Sequence, residues 1–114
     1  MTTLTKVKLS GSTDGKGVKV AATASSGTTI HTAHATALDE VWLWCVNSSS
    51  SPVKLTVQFG DTTSPDSDVE VGVPGEGGLL LVVPGLLLTN SAVVRAFAGT
   101  ANVLIMHGFV NRIG

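Results

Sequence analysis

The sequence predicts an all-β protein, a single antiparallel β-sandwich of about eight strands. Three observations predict it. Apolar and polar residues alternate along most of the chain, the period-2 mark of strands with one buried face. Clusters of Ser, Thr, Gly, Asn and Pro interrupt that alternation at the spacing of a sandwich. No segment carries a 3.6-residue apolar stripe through three turns. The 114 residues make one domain, long enough for a core without staples.

Residues 5–9 (Thr-Lys-Val-Lys-Leu) alternate, and residues 10–15 break the run with Ser, Gly, Thr and Asp. Residues 1–16 read as an N-terminal arm or first strand that could detach, and 17–114 as the sandwich domain. Residues 17–21 alternate again, and 28–33 are β-branched around His31. Residues 33–40 form the one helix candidate, good in propensity but short and weakly amphipathic.

Residues 41–46 (Val-Trp-Leu-Trp-Cys-Val) are apolar on both faces, which predicts a central strand covered on both sides. After the polar turn 47–52, Val53, Leu55, Val57 and Phe59 share one face, and Lys54, Thr56 and Gln58 the other. These two runs read as an antiparallel hairpin with a longer loop. Residues 60–67 form a loop, 68–73 alternate, and 74–78 stop the strand with Pro and Gly.

Residues 79–88 carry no charge. The first half reads as a buried strand. Pro84 and Gly85 then turn the chain, so that Leu86, Leu87 and Leu88 emerge elsewhere and need a neighbour to cover them. The run is too short to span a bilayer as a helix. Residues 92–98 and 103–110 complete the strands, joined by the tight connection 99–102.

Composition narrows the function. Charged residues are 13% of the chain and the net charge is -1, against about 25% charged in ordinary soluble domains. A neutral Ser/Thr/Gly/Ala surface suits a protein that works packed against other copies or another protein. The basic residues are scattered, apart from Lys6, Lys8, Lys16 and Lys19, which interleave with apolar residues as strand faces do. No basic stripe for nucleic acid is present. The single Cys45 excludes an intramolecular disulfide framework, and the N-terminus lacks a secretory pattern; both predict folding in a reducing cytoplasm.

Candidates for chemistry are few. His31 and His34 are three apart, which on a strand puts them on opposite faces, and no carboxylate or cysteine lies beside them at familiar zinc spacing. His107 reads as a core or interface histidine, and Cys45, between Trp44 and Val46, as a buried inert thiol. Asp61, Asp66, Asp68 and Glu70 read as a solvated acidic loop, without EF-hand spacing. The glycines of 72–78 lack the Lys-Ser/Thr ending of a phosphate loop. Trp42 and Trp44 share a strand face; they predict burial in a core or subunit contact, with a sugar- or partner-binding platform as the alternative. No catalytic residue, cofactor site or metal site is expected.

Five strings carry a resemblance: residues 39–47, 54–60, 79–86, 93–98 and 107–113. In strand pattern and composition, over nearly the whole chain, they resemble the small β-rich virion structural proteins of tailed bacteriophages, most of all capsid decoration (cement) proteins. The resemblance implies a jelly-roll or related sandwich, commonly a homotrimer, seated on the major capsid protein lattice at the outer head surface. It implies no catalytic residue, no nucleic acid and no membrane. The interface expected from the sequence comprises Pro84, Leu86, Leu87, Leu88, Trp42 and Trp44, with the N-terminal arm and the 74–78 loop alongside. Tail, neck or head-completion proteins share this general look. A carbohydrate-binding or adhesive sandwich and a small enzyme are the other readings.

Overall fold

A computed structural model describes residues 3–114. Nine strands run in chain order: β1 (Leu4–Lys8), β2 (Val18–Lys19), β3 (Thr28–Thr32), β4 (Leu38–Asn47), β5 (Val53–Gly60), β6 (Asp68–Val73), β7 (Leu80–Leu88), β8 (Val93–Ala98) and β9 (Leu104–Ile113). They form two antiparallel sheets. The first has the order β1-β9-β4-β7, with β2 also beside β9. The second has the order β3-β8-β5-β6. β1 and β2 therefore divide one strand position, pairing with 109–113 and 105–106 of β9, and nine strands fill eight positions. The chain passes between the two four-position sheets at every step except β1–β2 and β5–β6, the connectivity of a jelly-roll sandwich.

The core lies between the sheets. Val41, Leu43 and Cys45 from β4, Leu104, Met106 and Val110 from β9, Leu55 and Val57 from β5, and Val94 and Ala96 from β8 are all buried. The alternation of 53–59 is realised as expected, with Val53, Leu55 and Val57 turned inward. These β-branched and leucine side chains suit the pleated, closely packed interior of a sandwich.

Several expectations are corrected. β4 and β5 do not pair: β4 lies in the first sheet and β5 in the second. The 48–52 connection crosses between sheets. It is fixed by buried Asn47, whose Nδ2 donates to the Ser51 carbonyl at 2.8 Å and the Val73 carbonyl at 3.0 Å. A sheet crossing and a hairpin leave the same local pattern, so the sequence did not separate them.

The helix candidate 33–40 is not helical. Residues 33–37 form a turn and Leu38, Asp39 and Glu40 begin β4. Pairing along both edges of β4 outweighs a weak local propensity. Pro84 and Gly85 do not break the chain either; β7 runs through them as one strand. Two extra residues are absorbed as register shifts: Val41 pairs with Leu86 and Trp42 with Pro84, and Leu43 pairs with Val83 and Trp44 with Leu81. Proline is tolerated because β7 is the sheet's last strand. The strand expected to be buried at 79–83 is mostly an open edge, with Leu79 61% and Leu81 45% exposed and only Val83 fully buried. Of residues 1–16, expected as an arm or first strand, residues 1–2 lie outside the described residues and the others supply β1 as a strand beside β9, followed by buried Leu9 and Ser12.

Candidate association surface

The two sheets turn different chemistry outward. On the second sheet, the outward residues include Lys54, Thr56 and Gln58 of β5, Asp68 and Glu70 of β6, Val93, Arg95 and Phe97 of β8 and Thr29 of β3. Thr56 and Gln58 are buried among these neighbours, Val93 and Phe97 are half-buried, and several polar groups pair with one another. Lys54 pairs with Glu70, Gln58 donates to Asp68 at 3.3 Å, and Arg95 donates to Thr29 at 3.2 Å. The acidic loop is likewise self-satisfied. Asp61 accepts from the Thr63 N–H at 2.9 Å and from the Ser67 hydroxyl, and Asp68 accepts from the Ser64 hydroxyl at 2.7 Å. Those bonds to Asp61 lower its pKa, the Ser67 hydroxyl first.

The first sheet turns outward an apolar field. Cross-strand register places Trp42 beside Phe109 and Pro84, Trp44 beside His107 and Leu81, Glu40 beside Asn111 and Leu87, and Leu38 beside Ile113. β1 adds Leu4, Lys6 and Lys8. The residues of 41–46 expected to be covered on both sides are therefore covered on one. Val41, Leu43 and Cys45 enter the core, and Trp42 and Trp44 lie half-buried on the outside. Leu4, Leu38, Leu81 and Leu87 on this face are 69%, 41%, 45% and 52% exposed.

At the centre, three aromatic rings stand nearly parallel. Centroids of Trp42 and Trp44 are 6.2 Å apart, Trp42 and Phe109 6.4 Å, and Trp44 and Phe109 6.0 Å. Offset arrangements at such distances are attractive beyond area burial. Glu40 fixes the group by accepting from Trp42 Nε1–H at 2.6 Å and from Asn111 Nδ2–H at 3.0 Å. The Trp42 indole, then Asn111, lowers the Glu40 pKa by stabilising the carboxylate. Lys6 Nζ sits 4.8 Å from the Phe109 centroid, within cation–π range. Beneath Trp42 lies Gly85, at φ +78°, where a Cβ would come within 2.9 Å of the indole ring. Glycine is needed there both for the left-handed backbone and for the ring above it.

The residues expected at an interface are distributed as follows. Trp42, Trp44, Pro84 and Leu87 share the outer face. Leu86, opposite Val41, is 44% exposed at the margin. Leu88 packs against the core beside Asp39, so the leucine triplet does not act as a unit. Alternation along a continuous strand separates its members. Phe109, Leu81 and Leu4 were missed as part of this surface. Their positions on the first sheet depend on pairing with strands distant in sequence, although the odd-numbered apolar residues of 105–113 were a signal.

The histidines occupy a different corner. A register shift between Thr29 and His31 in β3 turns both Ile30 and His31 inward, in place of simple alternation. His31 Nε2 lies 2.8 Å from Asp39 Oδ2, and Nδ1 accepts the Ser10 N–H at 3.0 Å. Arg112 grips the same carboxylate with Nε at 2.7 Å and a terminal nitrogen at 3.0 Å, and the His34 N–H adds a bond at 3.2 Å. Burial alone would raise the Asp39 pKa. The Arg112 fork first, then His31 and the His34 N–H, outweigh it and lower the pKa to about 2.

His34 turns outward, and its Nδ1 accepts from Ala37 N–H at 2.9 Å and Thr36 N–H at 3.1 Å. His107 lies half-buried on the apolar outer face, with Gly17 against its ring. No group of three or more His, Cys, Asp or Glu among the described residues is arranged to hold a metal ion. Cys45 is buried, and desolvation raises its thiol pKa to about 11, against a smaller lowering by the Ile105 backbone. No pocket opens among the described residues.

Comparison with protein-family models, with curated proteins and with solved structures gave no match.

Proposed function

We propose that this chain is a non-enzymatic structural protein that works by surface burial, through the outer face of its first sheet. More specifically, we propose a virion component of the capsid decoration kind, self-associated as a trimer and bound to the major capsid protein lattice. The observation that carries the reading is the contrast between the two sheets. The second sheet's outer face is mostly paired charges and hydrogen bonds, with one half-buried aromatic ring, Phe97, whereas the first presents exposed leucines and three aromatic rings. An apolar field of this kind marks an interaction surface.

Magnitudes favour binding in many copies. The exposed parts of Leu4, Leu38, Leu81 and Leu87 amount to roughly two whole leucine side chains, worth about 3–6 kcal/mol when buried. Association costs at least about 4 kcal/mol in lost freedom. The leucines alone nearly break even, and the aromatic group and repeated contacts supply the surplus. Binding the assembled shell in preference to its dissociated subunits stabilises the shell by mass action.

The test is co-sedimentation of purified protein with assembled shells of the parent phage. Saturable binding to shells, with loss of binding in Leu81→Asp, supports the proposal. A protein that stays in the supernatant at high concentration overturns it.

One observation favours a second reading. Near-parallel Trp42, Trp44 and Phe109 on an open sheet face also suit the apolar faces of sugar rings, and jelly rolls serve lectins as well as capsids. A glycan array decides between the two: selective binding abolished by Trp42→Ala in a folded protein supports the carbohydrate reading.

A further inference from the structure

The histidine corner is built for one protonation state. A ring nitrogen that accepts a hydrogen bond carries no proton. The Ser10 N–H at 3.0 Å makes His31 Nδ1 an acceptor, so the ring proton is on Nε2, donated to Asp39 at 2.8 Å. His34 Nδ1 accepts the N–H groups of Ala37 and Thr36 at 2.9 and 3.1 Å. Both imidazoles are therefore neutral Nε2–H tautomers. A second proton on either ring enters at Nδ1 and points at a backbone N–H, so protonation and these bonds exclude each other.

The charged groups around His31 are few. Asp39 approaches from β4, Arg112 from β9 through Asp39, and His34 lies in the turn between β3 and β4. β8 faces His31 with Val94, and the 9–12 segment has no ionisable side chain. Asp39 and Arg112 form a bidentate pair that keeps its charge through the range where histidine titrates.

We propose that His31 is a proton-operated latch on the N-terminal segment, closed while its Nδ1 accepts the Ser10 N–H and opened by protonation there, and that His34 holds the 34–37 turn in the same way. The latch holds the point where the chain, between β1 and β2, runs against β3 of the second sheet. Its companions there are the Thr32 N–H to Ser10 Oγ bond at 2.7 Å and the Gly11 N–H to Ile30 carbonyl bond at 2.9 Å. Those two remain on acidification, so opening loosens the 9–12 segment and the 34–37 turn without unfolding the sandwich. Edge strand β1 then keeps its ladder to β9 but loses one anchor at its C-terminal end.

The test uses the full chain labelled with nitrogen-15. Ring-nitrogen spectra report tautomer and charge, and amide exchange, corrected for intrinsic rates, reports the latch. At pH 8 both rings are expected as Nε2–H tautomers. On acidification, protection at Ser10 falls with the His31 titration, and at Thr36 and Ala37 with that of His34. Each drop is about tenfold, the loss of one hydrogen bond of ordinary net worth, while Val41 and Leu43 keep their protection. His34→Asn retains an acceptor that does not titrate and makes Thr36 and Ala37 protection independent of pH. His31→Asn does the same for Ser10, and the wild-type titration carries the test alone if that variant does not fold. An Nδ1–H or charged His31 at pH 8, a His31 still neutral at pH 5, or unchanged Ser10 protection through its titration overturns the proposal.

Discussion

Replacing Asp39 by Asn removes the charge that Arg112, His31 and the His34 N–H converge on. The folded-state pKa of Asp39 is about 2, below the ordinary 3.8. A depressed carboxylate stabilises the fold above its unfolded pKa, and that contribution disappears as pH falls through the folded pKa. The shift is worth about 2 kcal/mol. The side chain of Asp39 is fully buried and that of Arg112 is 26% exposed, so little is discounted to solvent. At pH 7 the variant also leaves Arg112 without its counter-charge, and breaking a buried pair costs about 3–5 kcal/mol. Partial exposure of Arg112 sets the expectation at the lower end, about 3 kcal/mol. The assay is urea denaturation of wild type and Asp39→Asn from pH 7 to pH 2, followed by tryptophan fluorescence. The stability gap should be about 3 kcal/mol at pH 7 and should close by about 2 kcal/mol as pH approaches 2. Two parallel pH profiles would refute the reasoning, because the gap would then owe nothing to ionised Asp39.

Two further outcomes follow from the same geometry. Gly85→Ala places a Cβ within 2.9 Å of the Trp42 ring at a φ of +78°; it should lose about 1–3 kcal/mol and shift the tryptophan emission, as read by melts and fluorescence spectra. Cys45, buried and with its thiol pKa raised to about 11, should resist a thiol reagent at pH 8 in the native protein and react promptly in denaturant.

The fold was largely legible because alternation is local. Residues 53–59 state their two faces without reference to the rest of the chain, and the structure keeps the alternation, although Thr56 and Gln58 of the polar face are buried. Sheet membership is not local. Residues 41–46 and 53–59 look like hairpin partners, yet a buried Asn47 sends the second run to the other sheet. Hydrophobicity also does not reveal position within a sheet. Residues 79–88 read as a core strand and a turn, but 80–88 form one edge strand whose two register shifts absorb the extra residues, one of them at Gly85.

At the site, Trp42 and Trp44 were visible as sharing one face. Their neighbour Phe109 was not, because it reaches them only through the β4–β9 register. Asp39 and Arg112 lie 73 residues apart, and nothing in either local sequence announces the pair. His31 and His34 do face opposite ways, as their odd offset suggests, but burial of the His31 ring depends on a bulge in β3 that nothing local announces.

The central claim is that the outer face of the first sheet is covered in the working protein. Sedimentation equilibrium of wild type beside a Leu81→Asp/Leu87→Asp double variant tests it most directly, since both leucines are about half exposed on that face and absent from the core. The account predicts a discrete wild-type oligomer, a trimer, and a folded monomeric variant with an unchanged melt. A wild type that stays monomeric at high concentration, or a double variant that assembles as the wild type does, would contradict it.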